Sequence, residues 1–189
     1  MTPDTHCLDS DCDVAAIVFG PNDDPDTLLE AFADDLDWQG YNVHGFVQRG
    51  HCSARDGLEL HLWPSRERLR LPECCRSAGA LRTSAEFVSA LQPALTSDRV
   101  DLAVVNRFGK LEAGGHGLRE DITRLAHAGV PVLTAVASHR FETWNQFVGG
   151  LSVALRCRRD DLDRWWDAVS TSSRSMSTQH STTFCQKWK

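Results

Sequence analysis

The stretch Val14-Ala-Ala-Ile-Val-Phe19 and the octet that follows it, Gly20-Pro-Asn-Asp-Asp-Pro-Asp-Thr27, decide how the rest of the chain is read. An unbroken apolar run that ends at a glycine is the pattern of a strand buried on both faces, as in a parallel sheet covered by helices. After the octet, Leu28, Leu29, Phe32, Ala33 and Leu36 recur at helical spacing and stop before Gly40. The opening unit is therefore strand, loop, helix.

Working outward, the unit repeats. Asn42 to Gln48 predicts a second strand, Asp101 to Asn106 another buried one, and Val130 to Val136 a further one. Between them, Phe87, Val88, Leu91 and Leu95 mark a helix over residues 84–95, and Leu118, Ile122, Leu125 and Ala126 mark one that ends at Gly129. Phe141, Trp144 and Phe147 predict a short helix closed by Gly149-Gly150; Leu151 to Leu155 predicts a last strand, and Leu162, Trp165, Trp166 and Val169 a final helix. Residues 50–72 break the pattern. Leu58, Leu60 and Leu62 alternate with polar residues, and Leu69 and Leu71 repeat the alternation, which predicts a β-hairpin or an edge excursion. Strands alternating with helices imply an α/β fold: a three-layer, mostly parallel sheet with right-handed crossovers. We place a single domain at residues 13–169, with a flexible N-terminus over 1–12 and a disordered Ser/Thr-rich tail over 170–189.

Composition narrows the function classes. A formal net charge of -6 argues against a non-specific nucleic-acid or membrane-surface binder. No apolar stretch reaches the roughly 18 residues of a membrane span, and the first residues lack a signal-peptide pattern, so a cytoplasmic protein is expected. The seven cysteines form no C-x-x-C pair and read as scattered reduced thiols. A competing reading has His44, His51 and His61 converge with Cys52 on zinc or copper, should residues 42–62 fold back on themselves. The adjacent Trp165 and Trp166 cannot both face the core from one ideal helix, which points to a partly exposed indole at a homo-oligomer interface. His127 is expected at the surface.

Ligands of such sheets sit beyond the C-terminal strand ends, which directs attention to two loops. The octet Gly20–Thr27 has the length of the phosphate loop G-x-x-x-x-G-K-[ST], with its first glycine and final threonine. Pro25 stands in place of the second glycine, and Asp26 in place of the lysine that holds phosphate. Proline has no N–H to offer, and an aspartate near a phosphate costs about 4 kcal/mol per like-charge contact at ~4 Å and an effective dielectric near 20. Ordinary ATP binding is disfavoured. A purely structural reading is open: Asp24 caps the helix, Pro25 suits its first position, Asp26 favours its positive end, and Thr27 with Glu30 forms a capping box. So is a functional one, in which Asp23, Asp24, Asp26 and Thr27 form an acidic loop able to hold Mg²⁺.

The second loop, Asn106-Arg-Phe-Gly-Lys-Leu-Glu-Ala-Gly-Gly-His-Gly-Leu-Arg119, carries Arg107, Lys110, His116 and Arg119 among glycines. Backbone amides next to a helix N-terminus suit an oxyanion, with Lys110 as a point charge, Arg119 as a bidentate fork and Asn106 as a donor. Glu112 would orient one of the cations or act as a base. A solvated glycine-rich connection is the plainer alternative. A third is a closure in which the acidic first loop pairs with the basic second one.

The run Asp101-Leu-Ala-Val-Val-Asn-Arg-Phe-Gly-Lys-Leu-Glu-Ala with Gly-His-Gly-Leu-Arg119 resembles the signature of DUF2478, a bacterial family of uncharacterised proteins. Ala15-Ala-Ile-Val, the Asp23-Asp24 pair, Gly45-Phe-Val-Gln48, Pro131 to Val136 and the Phe147-x-Gly-Gly150 turn match as well, over roughly residues 13–168. The family is similar in layout to P-loop nucleoside triphosphatases in which an acidic pair and Gly-x-Met-Glu follow the magnesium-holding strand. Here that pair is Asn106-Arg107, while Gly109 and Glu112 remain, so the resemblance implies a P-loop-like fold and argues against hydrolase activity. Genes of the family often stand beside molybdate-transport genes, which implies a role in handling molybdate or a related oxyanion. The family pattern has more cysteines after the second strand and a polar segment where this chain has Trp63-Pro-Ser-Arg-Glu-Arg68.

The expectation is a small-anion-binding accessory protein with Asn106, Arg107, Lys110, Glu112, His116 and Arg119 around the anion, molybdate or tungstate being the candidates. The alternatives are a divergent Mg²⁺-dependent nucleotide hydrolase or transferase with Glu112 as base, and a non-catalytic oligomeric scaffold.

Overall fold

The computed structural model describes residues 12–50, 58–71 and 99–180. Within them the strands are β1 (Val14–Phe19), β2 (Val43–Gly50), β3 (Leu58–Trp63), β4 (Arg68–Leu71), β5 (Leu102–Phe108), β6 (Val132–Ala137) and β7 (Val153–Arg156). The helices are α1 (Pro25–Trp38), the short α2 (Lys110–Ala113), α3 (Arg119–His127), α4 (Phe141–Val148) and α5 (Arg159–His180). The strands form one sheet in the order β4-β3-β2-β5-β6-β1-β7. From β2 to β7 every neighbouring pair is parallel, whereas β3 and β4 add antiparallel to its edge. The expected hairpin excursion is thus an extension of the same sheet.

Two apolar layers cover the sheet. Leu29, Phe32 and Leu36 of α1 pack with Leu162, Trp165, Trp166 and Val169 of α5 over Ala15, Ile17, Val43, Val47, Val104 and Leu133. On the opposite face, Ile122 and Leu125 of α3 and Trp144 of α4 pack over Ala16, Phe46, Ala103, Val105 and Val136. The period-two alternation along each buried strand sends successive side chains to these two layers.

Several expectations change here. Both tryptophans are buried, Trp165 at 1% and Trp166 at 5% exposure, so the inferred exposed indole and its oligomer interface fall away. They share a layer because Trp166 reaches sideways to meet the edge of Tyr41 while Trp165 sends its Nε1 to the Cys12 carbonyl. α5 continues to His180, beyond Ser170, where the tail was expected to start. The predicted helix over 84–95, His51, Cys7, Cys52, Cys74, Cys75 and Cys185 lie outside the described residues. His127 is at the surface, as expected. Among the described residues no helix is long and apolar enough to cross a membrane.

Connection geometry locates a cleft. From β1 the chain passes to α1 on one face; from its neighbour β6 it passes to α4 on the other. Chains leaving adjacent parallel strands toward opposite faces open a crevice beyond the strand ends. The C-terminal end of β5 lies next to it.

Candidate functional site

The first loop is stapled by its own aspartates. Asp23 accepts from the Gly20 amide at 2.7 Å. Asp24 is the N-cap of α1, accepting from the Thr27 amide at 3.0 Å and from the Thr27 hydroxyl at 2.6 Å; these bonds hold its carboxyl below the usual aspartate range. Pro25 occupies the first turn, where its missing N–H costs nothing. Asp26 leaves the loop altogether. Its Oδ1 accepts from Asn106 Nδ2 at 2.7 Å and its Oδ2 from Arg107 Nη2 at 2.6 Å. Acidic first loop and basic second loop therefore meet in a direct ion pair across the crevice. The three carboxylates face three different partners, and among the described residues no cluster of three metal-ligating side chains converges.

Thr27 and Glu30 do not form the expected capping box. Glu30 instead takes Arg49 and, at 2.6 Å, His61 Nδ1, while His61 Nε2 faces Glu59 at 2.8 Å. Arg49 also donates to the Thr27 hydroxyl at 2.9 Å. This partly buried cluster ties α1 to β2 and β3. It also disposes of the proposed histidine convergence. His61 pairs with Val47 on one side of the sheet, whereas His44 alternates to the other side, bonded to Asn42 Oδ1 at 3.0 Å. Burial lowers the His44 pKa.

At the C-terminal end of β5 the register slips. Val105 faces Thr134 but Phe108 faces Val136, so an extra residue bulges from the strand where Asn106 and Arg107 sit, and the peptide between them is cis. The Thr134 hydroxyl donates to the Val105 carbonyl there at 2.6 Å. Asn106 is 1% exposed, yet its Oδ1 has no hydrogen-bond partner, and neither has Nε of Arg107. Buried orphans of this kind cost roughly 1–3 kcal/mol each.

Beyond the bulge the second loop splits. Glu112 is buried and both of its oxygens take backbone amides, Oε2 from Gly109 at 2.9 Å and Oε1 from Leu118 at 3.1 Å. Its two oxygens are thus taken by the backbone and not by the loop cations. A glutamate at the third position of a helix reaching back to the residue before it is one half of a capping box, a signal already present in the Gly109-to-Glu112 spacing. Lys110 stands exposed on α2.

His116 and Arg119 do come together. With Gly115, Gly117, Glu120 and Thr123 they line an open depression of about 480 Å³ at the start of α3. The residue before that helix, Leu118, supplies no side-chain cap, so the first-turn amides keep their positive end. Arg119 is held with its guanidinium carbon 4.3 Å from the centre of the Phe147 ring, which stacks on Phe108, itself edge-on to Trp144. Among the cysteines, Cys157 lies near the first loop; burial, helped by Asp23, Asp24 and Asp26, pushes its thiol up to about 11.

The sequence profile of DUF2478, described as a protein of unknown function, matches residues 14–165 of the 189. The chain belongs to the DUF2478 family. It is also 36% identical over 181 residues to a protein named molybdenum import ATP-binding protein ModC 2 from Bradyrhizobium diazoefficiens; the match covers 92% of this chain and 20% of that protein. The DUF2478 chain thus spans about a fifth of the length of this relative. No solved structure matches it. The doubly covered, mostly parallel sheet with its cleft is consistent with a P-loop-NTPase-like fold.

Proposed function

We propose that this DUF2478 chain is an accessory domain that binds a small oxyanion, with molybdate or tungstate as the leading ligand, and that it is not a conventional ATPase. The observation that carries this reading is the depression at the uncapped N-terminus of α3, rimmed by His116, Arg119 and two glycines. Helix-start amides, a guanidinium and a nearby imidazole together offer directed donors and positive charge to an anion. The name of the similar ModC 2 supports molybdate as the choice of anion. The phosphate-loop position supports the second half of the proposal, because Asp26 stands there already paired with Arg107.

Thermal shift tests it. Molybdate, tungstate, phosphate, ATP and GTP are each titrated with and without Mg²⁺. A ligand at ~100 times its dissociation constant adds about 2.7 kcal/mol. Stabilisation by molybdate or tungstate is expected, and is lost in Arg119→Ala and weakened in His116→Ala. No response to any oxyanion rejects the reading, and Mg²⁺-dependent release of phosphate from ATP rejects the claim about hydrolysis.

A further inference from the structure

The geometry points to a second oxyanion receptor, formed by Asn106 and Arg107 at the end of β5, which the protein's own Asp26 carboxylate occupies as a tethered competitor. The site is separate from the α3 depression and does not rest on it.

Donors and acceptors at this contact do not match in number. Asp26 brings two oxygens, one to Asn106 Nδ2 at 2.7 Å and one to Arg107 Nη2 at 2.6 Å. The receptor has a third donor. On a guanidinium the Nη2 and Nε protons lie along the same edge and form the fork that grips a carboxylate or phosphate with two parallel bonds. Here Nη2 is used and Nε is buried without a partner. A tetrahedral oxyanion has four oxygens and fills Nδ2, Nη2 and Nε together. The Oδ1 of Asn106 is an acceptor without a partner on a side chain that is 1% exposed. A hydroxyl-bearing anion such as hydrogen phosphate supplies the missing donor, which fully deprotonated molybdate does not.

The surroundings agree. The receptor stands beside the crevice between β1 and β6, where the topology directs a ligand. Arg107 lies with its guanidinium carbon 5.7 Å from the centre of the Phe19 ring, at the end of β1, so the fork is held at the mouth of the phosphate-loop position. Asp26 sits in the first turn of α1, on the positive end of the helix. A carboxylate on a helix start, received by an amide and a guanidinium, is the arrangement an anionic ligand would adopt there. Asp23 and Asp24 are spent on loop amides and do not fill the receptor.

Isothermal titration with orthophosphate, molybdate and ATP tests the proposal in an Arg119→Ala background, which silences the depression. Adding Asp26→Asn is expected to tighten phosphate binding at least tenfold, with molybdate gaining less. Adding Arg107→Leu to that double variant is expected to abolish the gain. Equal binding with and without Asp26→Asn overturns the proposal, as does a gain that survives Arg107→Leu. A gain confined to ATP would reassign the receptor to a nucleotide phosphoryl group and overturn the free-anion form. If Asp26→Asn does not fold, Asp26→Ser replaces it, and the Arg107 Nε–H resonance of the Arg119→Ala protein is followed under saturating phosphate: a shift is expected, and an unmoved resonance overturns the proposal. Because the α3 depression is removed throughout, failure here leaves the proposed function standing, and failure of that function leaves this test intact.

Discussion

Single side chains in this protein are committed in ways their identities alone do not disclose. Glu112 is the clearest case. Next to Lys110 and across from Arg107 in sequence it reads as a base or as a charge partner, but the amides of Gly109 and Leu118 claim it. Replacing it with alanine leaves two amides without their acceptor and is expected to cost roughly 1–3 kcal/mol in urea unfolding, without a charge partner being lost. Asp161 is a second case. Hydrogen bonding from Arg156, aided by Arg164 and opposed by burial, holds its carboxyl at about 2, against an ordinary value of 3.8. A folded-state value below the unfolded one stabilises the protein above the unfolded value, and that stabilisation disappears as the pH falls from about 4 toward 2. Asp161→Asn is therefore expected to lose roughly 1–2 kcal/mol at neutral pH, with the wild-type and variant stability curves converging near pH 2.

At the scale of elements, what was readable and what was not divide along a physical line. β1, α1, β5, α3, β6 and α4 were legible because burial on both faces writes a continuous apolar run, and burial on one helical face writes a 3.6-residue period. The alternating leucines of 58–71 announced the hairpin, but not that it would join the main sheet, since pairing across strands is not local information. The same limit hid the histidines. His44 and His61 are near in sequence, yet the alternation of β2 and the antiparallel register to β3 send them to opposite faces. It also hid the fate of the tryptophan pair, because the space beside Tyr41 that takes Trp166 comes from the end of α1 and the approach to β2. Where two strands close tightly the sequence does carry a mark. Gly45 has φ of 118°, and a Cβ there would stand 2.0 Å from the Val104 carbonyl oxygen. Gly45→Ala is expected to destabilise by at least ~3 kcal/mol or to prevent folding, read by chemical denaturation and by loss of soluble protein. Trp144→Ala, which empties the centre of the α3–α4 layer and frees the Ser152 hydroxyl from its 2.8 Å bond, is expected to cost about 3–5 kcal/mol by the same measurement.

For the whole molecule, the candidate site was legible as a region and not as a constellation. The two loops at the C-terminal edge of the sheet were identifiable from topology, and their opposite charges suggested contact; Asp26 with Asn106 and Arg107 is that contact. The six residues grouped around one anion separate into an ion-paired bulge, a backbone staple, an exposed lysine and a depression at α3. This separation depends on how the loop folds back through Glu112, which spacing alone marks only as a helix start. In the proposed account an old phosphate cradle is closed by a carboxylate, while positive charge gathers two strands over, beyond β5. The most direct test of that account is a calorimetric titration of the intact protein with molybdate, set beside one with Mg²⁺-ATP. The account predicts saturable molybdate binding that Arg119→Ala removes, and no nucleotide turnover. Molybdate binding unchanged by Arg119→Ala, or none in the wild type together with saturable, Mg²⁺-dependent ATP hydrolysis, would contradict it.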